Sequence, residues 1–162
     1  MVLADVRLLN PFLRGALYVL DSMGIPAERQ GPVSVESTDE TTEAVTVIVP
    51  IAGAMGGGVF YGFDQSTAQR VAGRMLGELG SVRWDDHLLA SALGEFGNMV
   101  SGHAAAALEE AGIRCSIAPP IVASHSRLIV AKQPFDRLVV CITTPLGSMK
   151  IHLALHNAAA SD

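Results

Sequence analysis

Hydrophobic residues recur at helical spacing in three stretches of the chain. Asn10, followed by Pro11, is a good N-cap for the first stretch, and Asp64 supplies an N-cap for the second. The third stretch is the longest and is stopped by Gly112. We therefore predict three helices. They are expected over residues 10–23, 65–79 and 85–110.

Segments rich in β-branched residues lie between the first two helices and after the third, separated by Gly and Pro. The predicted strands lie within 33–63 and after residue 112, and cover residues 44–51, 58–63, 113–118, 126–132, 138–144 and 148–156. The order is helix, strands, two helices, strands. It predicts an α+β fold in which two related halves pack around a common sheet.

The size of the chain favours one domain. With 162 residues and 17.0 kDa, it is predicted to form a single domain over residues 1–157 with a frayed C-terminal tail at 158–162. Hydrophobic residues make up 49% and the mean hydropathy is +0.37, so there is ample material for a core. Only 17% of the residues are charged, against about 25% in an average domain. Either alanine and glycine cover much of the surface, or partners cover some of it.

The charge pattern excludes several classes of partner. The net charge is −5 and the 11 Lys and Arg residues are scattered singly, so we predict that the chain binds neither nucleic acid nor membranes. No apolar run reaches the 18 or more residues of a spanning helix, which favours a cytoplasmic protein. Cys115 and Cys141 lie in apolar surroundings far apart in sequence, and we predict two buried thiols rather than a disulfide.

A glycine-rich segment and a pair of histidines are candidate ligand sites, but neither has the sequence pattern that such a site requires. The glycine-rich segment 53–58 lacks a Gly-Lys-Ser/Thr ending and precedes a strand, so we predict a hairpin turn rather than a phosphate loop. His152 and His156 would point to one face of a strand, but no third ligand accompanies them, and we predict no metal site. The other histidines have no Ser or Cys partner in a nucleophile setting: His87, His103 and His125.

The third helix has an unusual surface. Its predicted core face comprises Leu89, Leu93, Phe96, Val100, His103, Ala104 and Ala107. On the opposite side, four small or polar residues fall within an arc of about 60°. This polar stripe consists of Ser91, Glu95, Asn98 and Gly102.

A solvated helix face would usually carry Lys, Arg, Gln and Glu, which are better helix formers than Ser, Asn and Gly. The weak helix formers in the polar stripe cost about 2–3 kcal/mol relative to alanine. One explanation is that another protein approaches this backbone closely and receives one carboxylate and one carboxamide. The other is that glycines, including Gly94 and Gly97 nearby, allow tight packing within the domain. The pattern alone leaves both open.

The spacing Ser91-x3-Glu95-x2-Asn98, followed after about twenty residues by Pro119-Pro120, resembles the signature of the CheC/CheX/FliY chemotaxis phosphatases. The single copy that starts with Ser is similar to the CheX branch. Other segments resemble the family in the same order over about residues 8–156, among them the opening 10–12 and the helix segment 92–102.

The resemblance implies a CheC-like fold, with long helices on a mainly antiparallel sheet, and phosphatase activity on the aspartyl phosphate of a CheY-like response regulator. In that family the Asn orients the attacking water and the Glu pairs with the regulator's lysine. These roles transfer to Asn98 and Glu95 as the predicted catalytic residues. The residues expected to contact the regulator are Ser91, Gly94, Met99 and Gly102.

The resemblance also implies that Mg²⁺ belongs to the regulator, that this chain needs no cofactor of its own, and that it forms a homodimer through its sheet. Either Pro119 or Pro120 could match the family's proline. The alternative is a CheX-like binding module that recognises a phosphorylated regulator, or another signalling protein, without turning it over.

Overall fold

The computed structural model describes residues 5–77 and 86–158, which form three helices and seven strands. The helices are α1 (Val6–Ser22), α2 (Gln65–Met75) and α3 (Asp86–Glu110). The strands are β1 (Glu28–Thr38), β2 (Val45–Gly53), β3 (Met55–Phe63), β4 (Cys115–Ile117), β5 (Ile121–Ala123), β6 (Phe135–Thr144) and β7 (Gly147–Asn157). No helix among these residues is long and apolar enough to span a membrane.

All seven strands join one antiparallel sheet in the order β1-β6-β7-β3-β2-β4, and β5 also pairs with β2. The predicted α+β fold with a mainly antiparallel sheet is therefore confirmed. The strand order has an internal symmetry: exchanging β1, β2 and β3 with β4, β6 and β7 gives the same order read from the other end. The same exchange relates α1, which precedes β1, to α3, which precedes β4. This order agrees with two related halves.

The helices cover one face of the sheet, and the core lies between the two layers. Alternate residues of the strands point toward the helices, as the period of two requires. In β2 these are Val45, Val47, Val49 and Ile51, and in β7 they are Met149, Ile151, Leu153 and Leu155, all buried.

The opposite face carries a buried polar cluster. The His152 imidazole in β7 is only 1% exposed, and its Nε2 lies 3.0 Å from a carboxylate oxygen of Glu43. Arg137 in β6 is equally buried, donates to the Glu40 carbonyl oxygen at 2.5 Å, and lies over the ring of Phe60. These contacts link the segment between β1 and β2 to the centre of the sheet.

The first helix begins earlier than predicted. The prediction took Asn10 as its N-cap, but the cap is Asp5, whose carboxylate accepts the Arg7 backbone N–H at 2.9 Å. Leu8 and Leu9 are buried and extend the apolar stripe by one turn, which stabilises a helix that continues through Pro11. A prediction that takes proline as the start of a helix does not include this contribution from tertiary packing.

The other two helices follow their local signals. Asp64 caps α2 as predicted, with its side chain accepting the Thr67 N–H at 2.7 Å, although the helix ends at Met75 rather than residue 79. The predicted range of α3 is confirmed over Asp86–Glu110. Gly112 follows with a φ of 87°. Residues 78–85, on which the other predicted boundaries fall, lie outside the described residues.

The predicted strand over residues 126–132 is wrong. Arg127 has a φ of 63°, which interrupts an extended conformation, and only Ile129 makes an isolated bridge, to Glu40. The segment is instead held as a loop by Thr41, whose hydroxyl accepts the Leu128 N–H and donates to the His125 carbonyl. A short strand that was not predicted, β5, pairs with β2 in its place.

The glycine-rich segment 53–58 forms a hairpin only in part. The chain turns at Ala54, but Gly56, Gly57 and Gly58 lie inside β3 and pair with β7. Gly57 has a φ of 126°, and a Cβ there would clash with the Ala154 carbonyl oxygen. Gly57 therefore serves close strand contact rather than the turn.

Two smaller predictions also need correction. Cys115 and Cys141 are free thiols, as expected, but both are half-buried rather than buried. The strand β1 starts at Glu28, ahead of the pattern that begins at Val33, because its first residues pair with the end of β6 while remaining exposed. Of the predicted tail, only Ala158 is described, and its N–H donates to the Ala54 carbonyl at 3.3 Å.

Candidate functional site

Buried residues hold α3 in a fixed orientation on the sheet. Phe96 is fully buried and makes edge contacts with the rings of Tyr61 and Phe63, 6.2 and 5.9 Å away between centroids. The Tyr61 hydroxyl lies 2.7 Å from that of Ser101 in a buried hydrogen bond. Burial raises the pKa of Tyr61 above its usual value, so the phenol stays protonated and the bond is neutral.

The polar stripe faces away from the sheet, and all four of its residues are exposed. Glu95 and Asn98 are three residues apart, so their side chains are neighbours on one face of the helix. Neither side chain has a hydrogen-bond or ion-pair partner among the residues that the structure describes. A carboxylate and a carboxamide are thus presented to solvent from a rigid element, where each keeps its full hydrogen-bonding capacity.

A shallow groove of about 370 Å³ runs beside the first three residues of the stripe. Gly94 is buried and forms part of the floor of this groove. A Cβ on Gly94 would lie 3.4 Å from the Pro120 ring. The far wall is Pro120 together with Val122 of β5. The lining residues are Ala90, Ser91, Gly94, Glu95, Asn98, Pro120 and Val122.

A second groove of about 300 Å³ continues along α3 in the C-terminal direction. Asn98 lines both grooves, so the two form one continuous surface. The remaining lining residues of the second groove are Met99, Gly102, His103 and Ala106. Met99 is half-buried, and nothing lies within 4 Å of a Cβ placed on Gly102.

His103 does not belong to the core face on which it was predicted. The side chain is exposed, and its ring packs against that of Tyr18 in α1 at 4.6 Å between centroids. The core face of α3 continues instead through Ala104 and Leu108, which are one turn apart and both buried. Helical periodicity places His103 at the edge of the apolar face. Whether such an edge residue is buried depends on where α1 crosses α3.

The structure therefore brings all six predicted site residues to one side of α3, where each of them lines at least one of the two grooves. Two residues beside the grooves come from other elements and were not predicted, Tyr18 and Val122, while Pro120 belongs to the double proline of the motif. Only the tertiary contact shows that Pro120, and not the exposed Pro119, reaches the stripe.

Among the described residues, no group of three or more His, Cys, Asp or Glu could hold a metal ion. His152 is occupied by Glu43, and the ring of His156 lies against Gly56. What the site offers chemically is one acceptor-only carboxylate and one amide that both donates and accepts, beside a shallow groove.

Comparison with known proteins shows the family of this chain. A family model described as chemotaxis phosphatase CheX matches residues 45–144, a range that contains the whole polar stripe. The CheY-P phosphatase CheX of Thermotoga maritima is 35% identical over 122 residues, which are 74% of this chain and 77% of that protein. The chain belongs to the CheX family of chemotaxis phosphatases.

Solved CheX structures share the fold. The chemotaxis protein CheX of Desulfovibrio desulfuricans superimposes with a TM-score of 0.80 at 28% identity, covering 93% of this chain and 99% of that one. The structure of a CheX-CheY-BeF₃-Mg²⁺ complex from Borrelia burgdorferi matches with a TM-score of 0.74 at 25% identity, covering 91% of this chain and 97% of that one. The predicted CheX resemblance is thereby confirmed.

Proposed function

We propose that this chain is a phosphatase that accelerates hydrolysis of the aspartyl phosphate on a CheY-like response regulator. The observation that carries the proposal is that Glu95 and Asn98 lie one turn apart on the same face of a rigid helix. Both side chains are exposed, and neither has a partner among the described residues. The CheY-P phosphatase activity of the Thermotoga relative and the CheX-CheY complex from Borrelia support it. A substrate of this kind implies that the chain acts in the cytoplasm.

Asn98 is the residue that we assign to the chemistry. Hydrolysis of an acyl phosphate needs a water in line with the bond that breaks, and most of the catalytic effect comes from positioning. A carboxamide can accept a hydrogen bond from this water and donate another without placing a negative charge beside the phosphate. Mg²⁺, which neutralises the developing charge, would be held by the regulator.

Glu95 is the residue that we assign to docking, with Ser91, Gly94, Met99 and Gly102 as further contacts. Its carboxylate would pair with a cationic side chain near the regulator's phosphorylation site, forming a charge-assisted hydrogen bond. Because Glu95 lies one turn from Asn98, this pair would fix the distance between the amide and the phosphate.

We also infer that residues 1–157 form one domain and that two copies pair through their sheets. All seven strands share one sheet, which supports the first inference. The long edge strand β1 supports the second, because among the described strands it pairs only with β6 and leaves its outer edge unpaired.

Phosphate release tests the catalytic assignment. A CheY-like regulator phosphorylated by a small-molecule phosphodonor is mixed with the chain, and Asn98→Ala is compared with the parent. We expect Asn98→Ala to lose about a hundredfold of the acceleration, equivalent to about 2.7 kcal/mol of transition-state stabilisation. Glu95→Lys should instead weaken binding, since it turns an attraction into a repulsion.

Matched variants keep the test specific. Gln65→Ala removes an exposed amide from α2, and Glu110→Lys makes the same charge change at the far end of α3; both should retain parental activity. If Asn98→Ala releases phosphate as fast as the parent, the assignment of the water-orienting residue is wrong. If the parent binds phosphorylated regulators tightly but leaves the lifetime of the phosphate unchanged, the chain is a binding module and not an enzyme.

A further inference from the structure

An exposed aromatic pair lies next to the proposed site. Tyr18 of α1 is 61% exposed, and its ring leans on that of His103 of α3 at an interplanar angle of 54°. The two helices approach closely beneath the pair, where a Cβ on Gly15 would lie 2.9 Å from the Val100 carbonyl oxygen and 3.3 Å from the Cβ of His103. The pair is therefore fixed by the helix crossing, although it makes little contribution to the core.

The pair is continuous with the surface around Asn98. His103 lines the second groove together with Asn98 and Gly102. Because Gly102 has open space where a side chain would project, packing within the chain gives no reason for a glycine there, at a cost of about 1 kcal/mol relative to alanine. The result is a notch with the amide of Asn98 on one side and the aromatic pair on the other.

An interface of ordinary size between this chain and a regulator would extend beyond the first groove. A specific interface buries about 800 Å² on each partner, which corresponds to a disc of about 16 Å radius. His103 lies five residues after Asn98 on the helix, a rise of about 7.5 Å. A regulator centred on Asn98 would therefore cover the aromatic pair as well.

The chemistry of the pair suits such a contact. Tyrosine is enriched in the central part of interfaces, because it supplies a large apolar surface with only two side-chain torsions to immobilise. Contact with the His103 ring restricts the Tyr18 side chain before binding, which lowers the entropic cost of ordering it further.

We infer that Tyr18 and His103 form a second docking point for the phosphorylated regulator, separate from the residues that act on the phosphate. This inference rests on the proposed function. Tyr18 contributes to recognition of the regulator's surface, whereas Asn98 acts on the phosphate, so their replacement affects different kinetic constants.

A binding titration tests the inference without turnover. A CheY-like regulator that the parent dephosphorylates is loaded with beryllofluoride and Mg²⁺, and its Kd is measured by calorimetry for the parent and four variants. We expect Tyr18→Ala to raise the Kd about tenfold, and His103→Ala about threefold. Tyr18→Phe keeps the ring, so its Kd should stay within about twofold of the parent's. The same is expected of Ile129→Ala, which truncates a similarly exposed apolar residue away from α1 and α3.

Steady-state phosphate release gives a second, independent result. Tyr18→Ala should raise KM about tenfold and leave kcat within about twofold, while Asn98→Ala lowers kcat. If Tyr18→Ala has the parental Kd and KM while Asn98→Ala loses turnover, the second docking point is refuted and the proposed function stands. If Ile129→Ala weakens binding as much as Tyr18→Ala, the effect is not specific to the pair and the inference also fails. If the parent itself neither binds nor dephosphorylates any regulator tested, both proposals fail together.

Discussion

Three glycines of α3 lie in different surroundings, although they are only eight residues apart. Gly97 faces β2, where a Cβ would lie 2.7 Å from a methyl carbon of Val47. Gly94 forms the floor of the first groove beside Pro120. Gly102 faces open space. Tight packing within the chain therefore explains Gly97 but not Gly102, for which the partner contact that we propose would account.

Alanine substitutions at Gly97 and Gly102 should change the free energy of unfolding in opposite directions. Gly97→Ala should lower the free energy of unfolding by about 1–3 kcal/mol, because Val47 is buried in a strand and has little room to move. Gly102→Ala should raise it by about 1 kcal/mol, since the methyl group meets nothing and alanine is the better helix former. Urea unfolding of both variants measures the difference, and the explanation is wrong if the two changes have the same sign.

At the scale of elements, the segment between β1 and β2 is joined to β7 by the contact of Glu43 with His152. The Glu43 side chain is 14% exposed, and both of its carboxylate oxygens lie within 3.1 Å of the imidazole Nε2. Burial alone would raise the pKa of Glu43, but hydrogen bonds from His152 and Thr42 and the nearby charge of Lys150 hold it below its usual value of 4.5.

This contact predicts a defined loss of stability in acid. A carboxyl group whose pKa is lower in the folded state stabilises the fold fully above its unfolded pKa, and the contribution is lost as the pH falls through the folded pKa. We expect Glu43→Gln to cost about 1–3 kcal/mol at pH 7. The gap to the parent should narrow as the pH falls below about 4.5.

Urea unfolding between pH 3 and pH 7 checks the prediction. Glu110→Gln, which neutralises an exposed carboxylate of α3, serves as the control and should differ little from the parent at any pH. A gap between Glu43→Gln and the parent that is the same at pH 3 and pH 7 would show that the ionised form of Glu43 contributes nothing.

Elements with local signals were predictable from the sequence, and elements that depend on distant partners were not. Asp64 and Gly112 act within one turn of the helices that they bound, so the start of α2 and the end of α3 could be predicted. The loop around Arg127 could not, because its backbone is held by Thr41, more than eighty residues earlier. The same distinction applies to the site. The polar stripe lies on one helix and follows from helical periodicity, whereas Tyr18 joins it only through the crossing of α1 and α3.

At the scale of the whole molecule, the low charge content can be related to particular surfaces. The polar stripe carries a single charge across four exposed positions, and the edge strand β1 exposes Val35 at 56%. The two edges of the sheet differ, because β1 has eleven residues while β4 and β5 have three each. Only β1 therefore offers a long unpaired edge among the described strands, and proteins seldom leave such an edge open to solvent.

Two copies of the chain are expected to pair through the regular part of β1. A bulge near Gly31 and Pro32 interrupts the first part of β1, so the regular segment from Ser34 to Thr38 is the part that a second copy can extend in antiparallel register. Light scattering should give a mass of about twice 17.0 kDa for the parent. Val35→Lys should reduce it to that of one chain, because two-fold symmetry brings the like charges of both copies together across the new strand pair.

Ile121→Lys provides the matched comparison, since Ile121 in β5 is equally exposed, at 57%, but lies near the opposite edge of the sheet. This variant should remain a dimer. Dissociation of Ile121→Lys with an intact Val35→Lys dimer would assign the pairing to the other edge, and a parent that has the mass of one chain at all concentrations would exclude sheet pairing altogether. Phosphate release by the monomeric variant should persist, because all the residues that we assign to the site, including Tyr18 and His103, come from α1 and α3 of a single chain.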